Sequence, residues 1–108
     1  MSYAAGRLDK RVTLQSAVLV RDGHGQPIET WSNVATVWAA IEPIRGREFF
    51  AAKQFSAEVT HKLVIRYRSG VSPKWRVLYG SRTFRIEAVI NPRERGEVLE
   101  LMCVEVAS

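Results

Sequence analysis

The 108-residue sequence has one cysteine, two histidines and no long apolar run, and each scarcity removes a class of protein. With Cys103 alone, no intrachain disulfide forms, and a thiol inside the run "LELMCVEV" reads as a small buried hydrophobe. That suits a reducing compartment. No window approaches the roughly 18 apolar residues a membrane span needs, and the N-terminal "MSYAAGRLDKRV" lacks the apolar core of a signal peptide. These features set the expectation of a protein made and kept in a cytosol, with no membrane partner.

Parts for catalysis or metal binding are equally scarce. His24 lies in a glycine-rich turn and His61 alternates with Thr60 and Lys62 along a strand, so with the single cysteine they form no zinc signature. Glu97 and Glu105 fall on one strand face and Glu100 on the other, which separates the carboxylates a general acid/base pair would need. The segment "DGHG" lacks the Lys and Ser/Thr of a phosphate-binding loop and opens no helix. The expectation is a protein that is not an enzyme and carries no cofactor or metal.

What is present is charge of one sign. Sixteen basic residues against eleven acidic ones give +5, and twelve of the sixteen are arginine, the side chain suited to planar contacts with phosphate or carboxylate. The arginines are scattered in groups such as "RGR", "RYR" and "PRER" rather than gathered into a basic tail, which reads as a solvated, arginine-rich surface. Trp38, Trp75, Tyr79 and Phe84 near arginines raise a second reading, a nucleic-acid-binding barrel of the OB type with stacking platforms. A stacking residue must face outward, whereas Trp75, Val77 and Tyr79 share one strand face and Phe84, Ile86 and Ala88 another, in line with core positions.

The length fits one domain spanning residues 1–108, and a composition 46% hydrophobic and 25% charged is that of a folded chain. Strand signals recur at short spacing. In "RVTLQSAV", Val12, Leu14 and Val18 oppose Arg11, Thr13 and Gln15; "RDGHGQP" then supplies turn residues. "IETW" and "TVWAAIEPI" read as a strand pair or one long bent strand ending near Ile44, with Val37, Ala39 and Ile41 on one face and Trp38 and Ala40 on the other. "VTHKLVIRYR" alternates, with Val64 as its exception; "KWRVLYG" and "RTFRIEAVIN" meet in a tight turn at Gly80 and Ser81. After the loop "NPRERG", "EVLELMCVEV" is apolar on both faces and should be a central strand. Six or seven such strands without long helices predict an all-β, mainly antiparallel small barrel or sandwich.

The stretch from Ala40 to Tyr67 departs from that period. Between two strands, Phe49, Ala52 and Phe55 are spaced as on one side of a helix, Glu48 sits in the favourable first turn, and "EFFAAKQF" has no Gly or Pro. The spacing predicts one short helix in a long excursion between strands, too short to persist without packing.

Taken in order, "GRLDKRVTLQ", "DGHGQP" followed by Trp31, "VWAAIEPIRGREFFAA", "THKLVIRYRSGV", "WRVLYGSRTFRIEAVINPRER" and "LELMCVE" resemble the phage head-tail joining family, the stopper or head-completion proteins of long-tailed phages and related particles. The resemblance runs from about Gly6 to Glu105. It implies a small β-barrel or sandwich whose copies form a ring at the virion neck, assembled in the bacterial host cytoplasm. Beneath the portal and its adaptor, that ring would close the DNA-filled head and receive tail-completion or tail-tube proteins. The excursion would point into the axial channel and help retain double-stranded DNA. On the resemblance, Arg45, Gly46, Arg47, Glu48, Phe49 and Phe50 match its beginning, and Lys53 to Glu58, including Phe55, its return. The charged loop tips Asp22, His24 and Gln26, and Arg93, Glu94 and Arg95, are candidate contacts to neighbours. A neighbouring neck component, adaptor or tail-completion protein, remains an alternative, as does the nucleic-acid-binding barrel.

Overall fold

The computed structural model describes residues 7–44 and 59–106. Six strands form: β1 (Lys10–Arg21), β2 (Pro27–Pro43), β3 (His61–Arg66), β4 (Arg76–Tyr79), β5 (Arg82–Ile90) and β6 (Val98–Val106). In the order β1-β2-β3-β6-β5-β4 they close into a barrel, and every neighbouring pair is antiparallel. Within the barrel, closure leaves no free strand edge of the kind that templates aggregation. The all-β, mainly antiparallel expectation holds, the barrel is the form taken, and the strand count is six among the described residues. A 3₁₀ turn at Pro92–Glu94 leads from β5 into β6. The short helix expected around Phe49 to Phe55 lies outside the described residues.

The period-two pattern explains the interior. Leu14, Leu63, Ile65, Val77, Phe84 and Leu101 are fully buried and come from five different strands, so the barrel is a packed core rather than a pore. Burying each such side chain contributes about 1.5–3 kcal/mol. Trp75 and Tyr79 are partly buried against this core, as their strand face predicts. β6 lies between β3 and β5 and buries both faces, Leu101 and Cys103 inward and Met102 and Val104 on the other side. Val64, the break in β3's alternation, is fully buried outside the barrel in a second cluster with Leu8, Ala40 and Val98.

Two irregularities alter the expected faces. Between Ile86 and Ala88 the β5–β6 register slips, leaving Glu87 as the extra residue. Ala88 therefore packs with Val59 and Met102 in a third cluster instead of following Phe84 and Ile86 into the core. Between Leu14 and Gln15 the β1–β2 register slips as well, leaving Val34 as the extra residue, 40% exposed. β4 pairs with β1 only at Thr13–Gln15, and β3 pairs with β2 only from Ala39 to Pro43. From Ser16 outward the two strands therefore pair with each other alone, down to Arg21 opposite Pro27.

That free hairpin is an arm. Six residues from Ser16 to Arg21 at about 3.4 Å each carry it about 20 Å beyond its last contact with β4. The principal extents of 51 × 27 × 27 Å fit a barrel with one such projection. Val18, expected inside with Val12 and Leu14, is 48% exposed because its strand has already left the barrel. The opposite pattern appears at Tyr79–Arg82, where a two-residue turn closes the β4–β5 hairpin and Gly80 takes φ +58°, the positive value such turns require.

Candidate assembly surfaces

Because all pairings are antiparallel, the connections after β1, β3 and β5 leave one end of the barrel and those after β2 and β4 leave the other. The loop tips Asp22, His24 and Gln26 and the loop residues Arg93, Glu94 and Arg95 therefore belong to the same end. His24, Gln26, Arg93, Glu94 and Arg95 are exposed there and Asp22 is half-buried. The excursion leaves from the opposite end, where the Ile44 N–H donates to the Thr60 carbonyl at 3.0 Å. Arg45, Gly46, Arg47, Glu48, Phe49, Phe50, Lys53 and Phe55 lie outside the described residues.

The arm's tip is built by Asp22. Its Oδ1 accepts from the backbone N–H groups of His24 at 2.8 Å and Gln26 at 2.9 Å, while its own N–H donates to the Gln26 carbonyl. Gly25 completes the turn at φ +80°, and the Arg21 guanidinium donates to its carbonyl at 2.9 Å. Asp22 thus acts as a turn former, which is what a short polar side chain does beside glycines.

The arm's base is braced on the barrel's outer surface. Arg76 Nε donates to Gln15 Oε1 at 2.6 Å, Gln15 Nε2 donates to Asn33 Oδ1 at 2.6 Å, and the Arg76 guanidinium lies 4.1 Å from the centroid of Trp31. Gln15 is only 9% exposed, so its amide depends on these partners. Beyond the brace opens a cleft of about 680 Å³, with Leu19 and Trp31 of the arm facing Trp75, Arg85 and Val106 of the body.

At the excursion end, one carboxylate organises the barrel mouth. Glu105 accepts from Arg82 Nε at 2.8 Å and from its Nη2 at 3.1 Å, a two-pronged pair. Arg82's hydrogen bonds hold the Glu105 carboxyl below the usual range and raise the arginine in turn. His61 sits 3.8 Å from the same carboxylate and meets Phe84 edge-on, centroids 5.2 Å apart. Burial pushes its imidazole below the ordinary value, against the pull of Glu105 and with the repulsion of Arg82. The Thr60 hydroxyl lies 2.9 Å from His61 Nδ1 and accepts the Glu105 N–H at 2.9 Å. The return of the excursion at Thr60 is therefore pinned to β6, and Glu105 is part of that structure rather than a bare surface charge.

The aromatic residues divide. Phe84 is fully buried and Trp75 and Tyr79 partly so, whereas Trp38 is 51% exposed with the Arg11 guanidinium 5.0 Å above its ring. Arg11, Trp38, Arg66, Tyr67 and Arg68 line a shallow depression of about 300 Å³ completed by Thr36 and Val37, with no carboxylate among those residues. Alternation gives Arg11 and Trp38 each a strand face; that the two pair across β1 and β2, and that β3 ends beside Trp38, could not be read from it. No group of three or more His, Cys, Asp or Glu side chains able to hold a metal exists among the described residues.

Residues 3–106 match the family model of the phage head completion protein. The chain is 31% identical over 103 residues to head completion protein gp7 of Enterobacteria phage HK97, covering 91% of this chain and 92% of that protein. It is 28% identical over 68 residues to head completion protein gp16 of Bacillus phage SPP1, covering 63% and 62% respectively. The solution structure of protein SF1141 from Shigella flexneri 2a superposes with TM-score 0.78 at 28% identity, covering 98% of this chain and 99% of that one. A chain in the virion of a native gene transfer agent particle shares the fold, with TM-score 0.62 at 24% identity over 93% and 96% of the two chains. With nearly its whole length matched by one family model, the chain belongs to the phage head completion protein family.

Proposed function

We propose that this protein is a structural virion component that sits as a ring at the head-tail junction, closes the DNA-filled head and provides the tail attachment site. The observation that carries the reading is family membership over residues 3–106, supported by relatives named for head completion. The architecture suits a layer between two neighbours: an arm and charged loops at one end, an excursion at the other, on a closed barrel. Its partners are then copies of itself, the portal-adaptor assembly above, tail-completion or tail-tube proteins below, and packaged double-stranded DNA in the channel. Arg45 to Phe50, with Lys53 and Phe55, are the residues assigned to the gate in this reading.

The test is co-sedimentation of the purified protein with purified portal-adaptor assemblies, followed by electron microscopy of the pelleted complex. A new ring of density at the adaptor's distal face is the expected result. A protein left in the supernatant, with bare adaptors in the pellet, would sink the ring.

A further inference from the structure

On the side away from β1, β2 has a partner over a short stretch only. β3 pairs with it from Ala39 to Pro43; from Trp38 back to Pro27 no strand among the described residues takes that edge. β3 leaves β2 because its end follows β6 instead: Arg66 pairs with Val98, and the Tyr67 N–H donates to the Glu97 carbonyl at 3.1 Å. The depression of about 300 Å³ is the notch that opens there, with Thr36, Val37 and Trp38 on one wall and Arg66, Tyr67 and Arg68 on the other. An unpaired edge presents alternating backbone donors and acceptors, which a further strand satisfies.

The side chains around the notch sort by parity. Ala39 and Ile65 are core residues, so Trp38 and Arg66, each one step along, point outward, and Arg11 stands directly opposite Trp38. The result is an outward row across three strands, Arg11, Trp38 and Arg66, in which an indole 51% exposed is flanked by two arginines whose backbones are about 10 Å apart. Val37 and Tyr67 have the opposite parity and line the inner side; Val37 packs on the core and Tyr67 is 46% exposed. Among the described residues no carboxylate lies within ion-pairing distance of Arg11, Arg66 or Arg68. The notch is therefore cationic on its outer side, apolar on its inner side and open along a strand edge.

From this geometry we propose that the notch binds an extended acidic segment of a different protein, added as a strand beside residues 35–38. Its outward side chains are carboxylates that fall among Arg11, Arg66 and Arg68, and its alternate, apolar side chains fill the space between Val37 and Tyr67. Exposed tryptophan, tyrosine and arginine grouped at one spot are the residue types that dominate protein–protein affinity. A nucleic acid would meet the guanidiniums, but its backbone carries acceptors only and leaves the β2 carbonyls without donors. β6, which carries Glu100 and Glu105, is already paired on both edges, so this chain's own acidic strand is not the donor. The site stands on the barrel's geometry and does not depend on the connector reading.

The experiment titrates the full-length protein with a capped peptide of alternating Glu and Val, read by tryptophan fluorescence and by amide hydrogen exchange. The expected result is saturable, salt-sensitive binding that slows exchange within residues 35–38. Binding should be about tenfold weaker for a Gln–Val peptide, and about tenfold weaker for a Glu–Val peptide with a central proline, which removes a ladder donor. Reversing two outward charges together, Arg66→Glu with Arg68→Glu, should make the protein take a Lys–Val peptide about tenfold more tightly than the native protein does. Equal binding of the charged and neutral peptides, binding that leaves exchange at residues 35–38 unchanged, or no binding at concentrations approaching millimolar overturns the proposal. So does tighter binding of a duplex or single-stranded oligonucleotide, which would give the arginines to nucleic acid. Protection of residues 35–38 that rises with protein concentration, with no peptide added, would give the notch to a second copy and overturn it as well.

Discussion

Leu14 and Leu19 stand five residues apart on β1, and the fold assigns them opposite fates. Leu14 is 0% exposed in the barrel core, and Leu19 is 73% exposed on the arm. Leu14→Ala removes a buried side chain and leaves a cavity in a ring of strands that cannot collapse, at a cost of about 2–5 kcal/mol. With a urea slope of about 1.5 kcal/mol/M, an intermediate cost of about 3 kcal/mol lowers the unfolding midpoint by about 2 M. Leu19→Ala deletes atoms already in water and should change stability by no more than about 0.5 kcal/mol, a midpoint shift of about 0.3 M. Urea titration followed by tryptophan fluorescence reads both, with the slope expected to stay constant. Equal losses for the two variants would refute the free-standing arm, since they would mean that Leu19 is packed as deeply as Leu14.

Other consequences follow from particular contacts. Arg82 depresses the Glu105 carboxyl, so the pair's contribution is complete above the unfolded value of about 4.3 and is lost as pH falls through the lower folded value. The stability gap between native and Arg82→Ala proteins, measured as urea midpoints, should be open at pH 7 and narrow below about pH 4. His61 titrates low because it is buried, so below about pH 6.5 the unfolded chain takes the proton first and stability falls; His61→Gln should flatten the curve between about pH 6.5 and its lower folded value. Burial pushes the Cys103 thiol far above its ordinary value, so a chromogenic disulfide reagent should leave it untouched in the native protein and label it fully in denaturant. Asp22→Ala should lose the two hydrogen bonds that shape the arm's tip and raise amide exchange at His24 and Gln26, with the core amides of β6 unchanged.

The core was legible because alternation is a local property. Val12, Leu14, Val77, Phe84 and Ile86 declare their face by spacing, and the glycine at position 80 declares its turn. Cross-strand register is not local, and there the reading slipped. Val18 continues the parity of Leu14 without any mark that β4 stops pairing at Gln15, and Ala88 continues that of Ile86 until Glu87 is left over. "IETW" and "TVWAAIEPI" belong to one strand, whose bend is the extra residue Val34. The Gln15–Arg76 brace spans 61 positions and the Glu105–Thr60 bond 45, distances over which no periodicity carries information. Trp38 shows both sides: alternation sets it opposite Ala39 on the strand, but only barrel closure places it beside Arg66 and Tyr67.

The account's central claim is tested most directly on tailless, DNA-filled heads prepared with and without this protein and imaged by electron microscopy. The prediction is that heads lacking it leak DNA and stay tailless, and that adding the purified protein restores both retention and tail attachment. Heads that keep their DNA and accept tails equally well in its absence would contradict it.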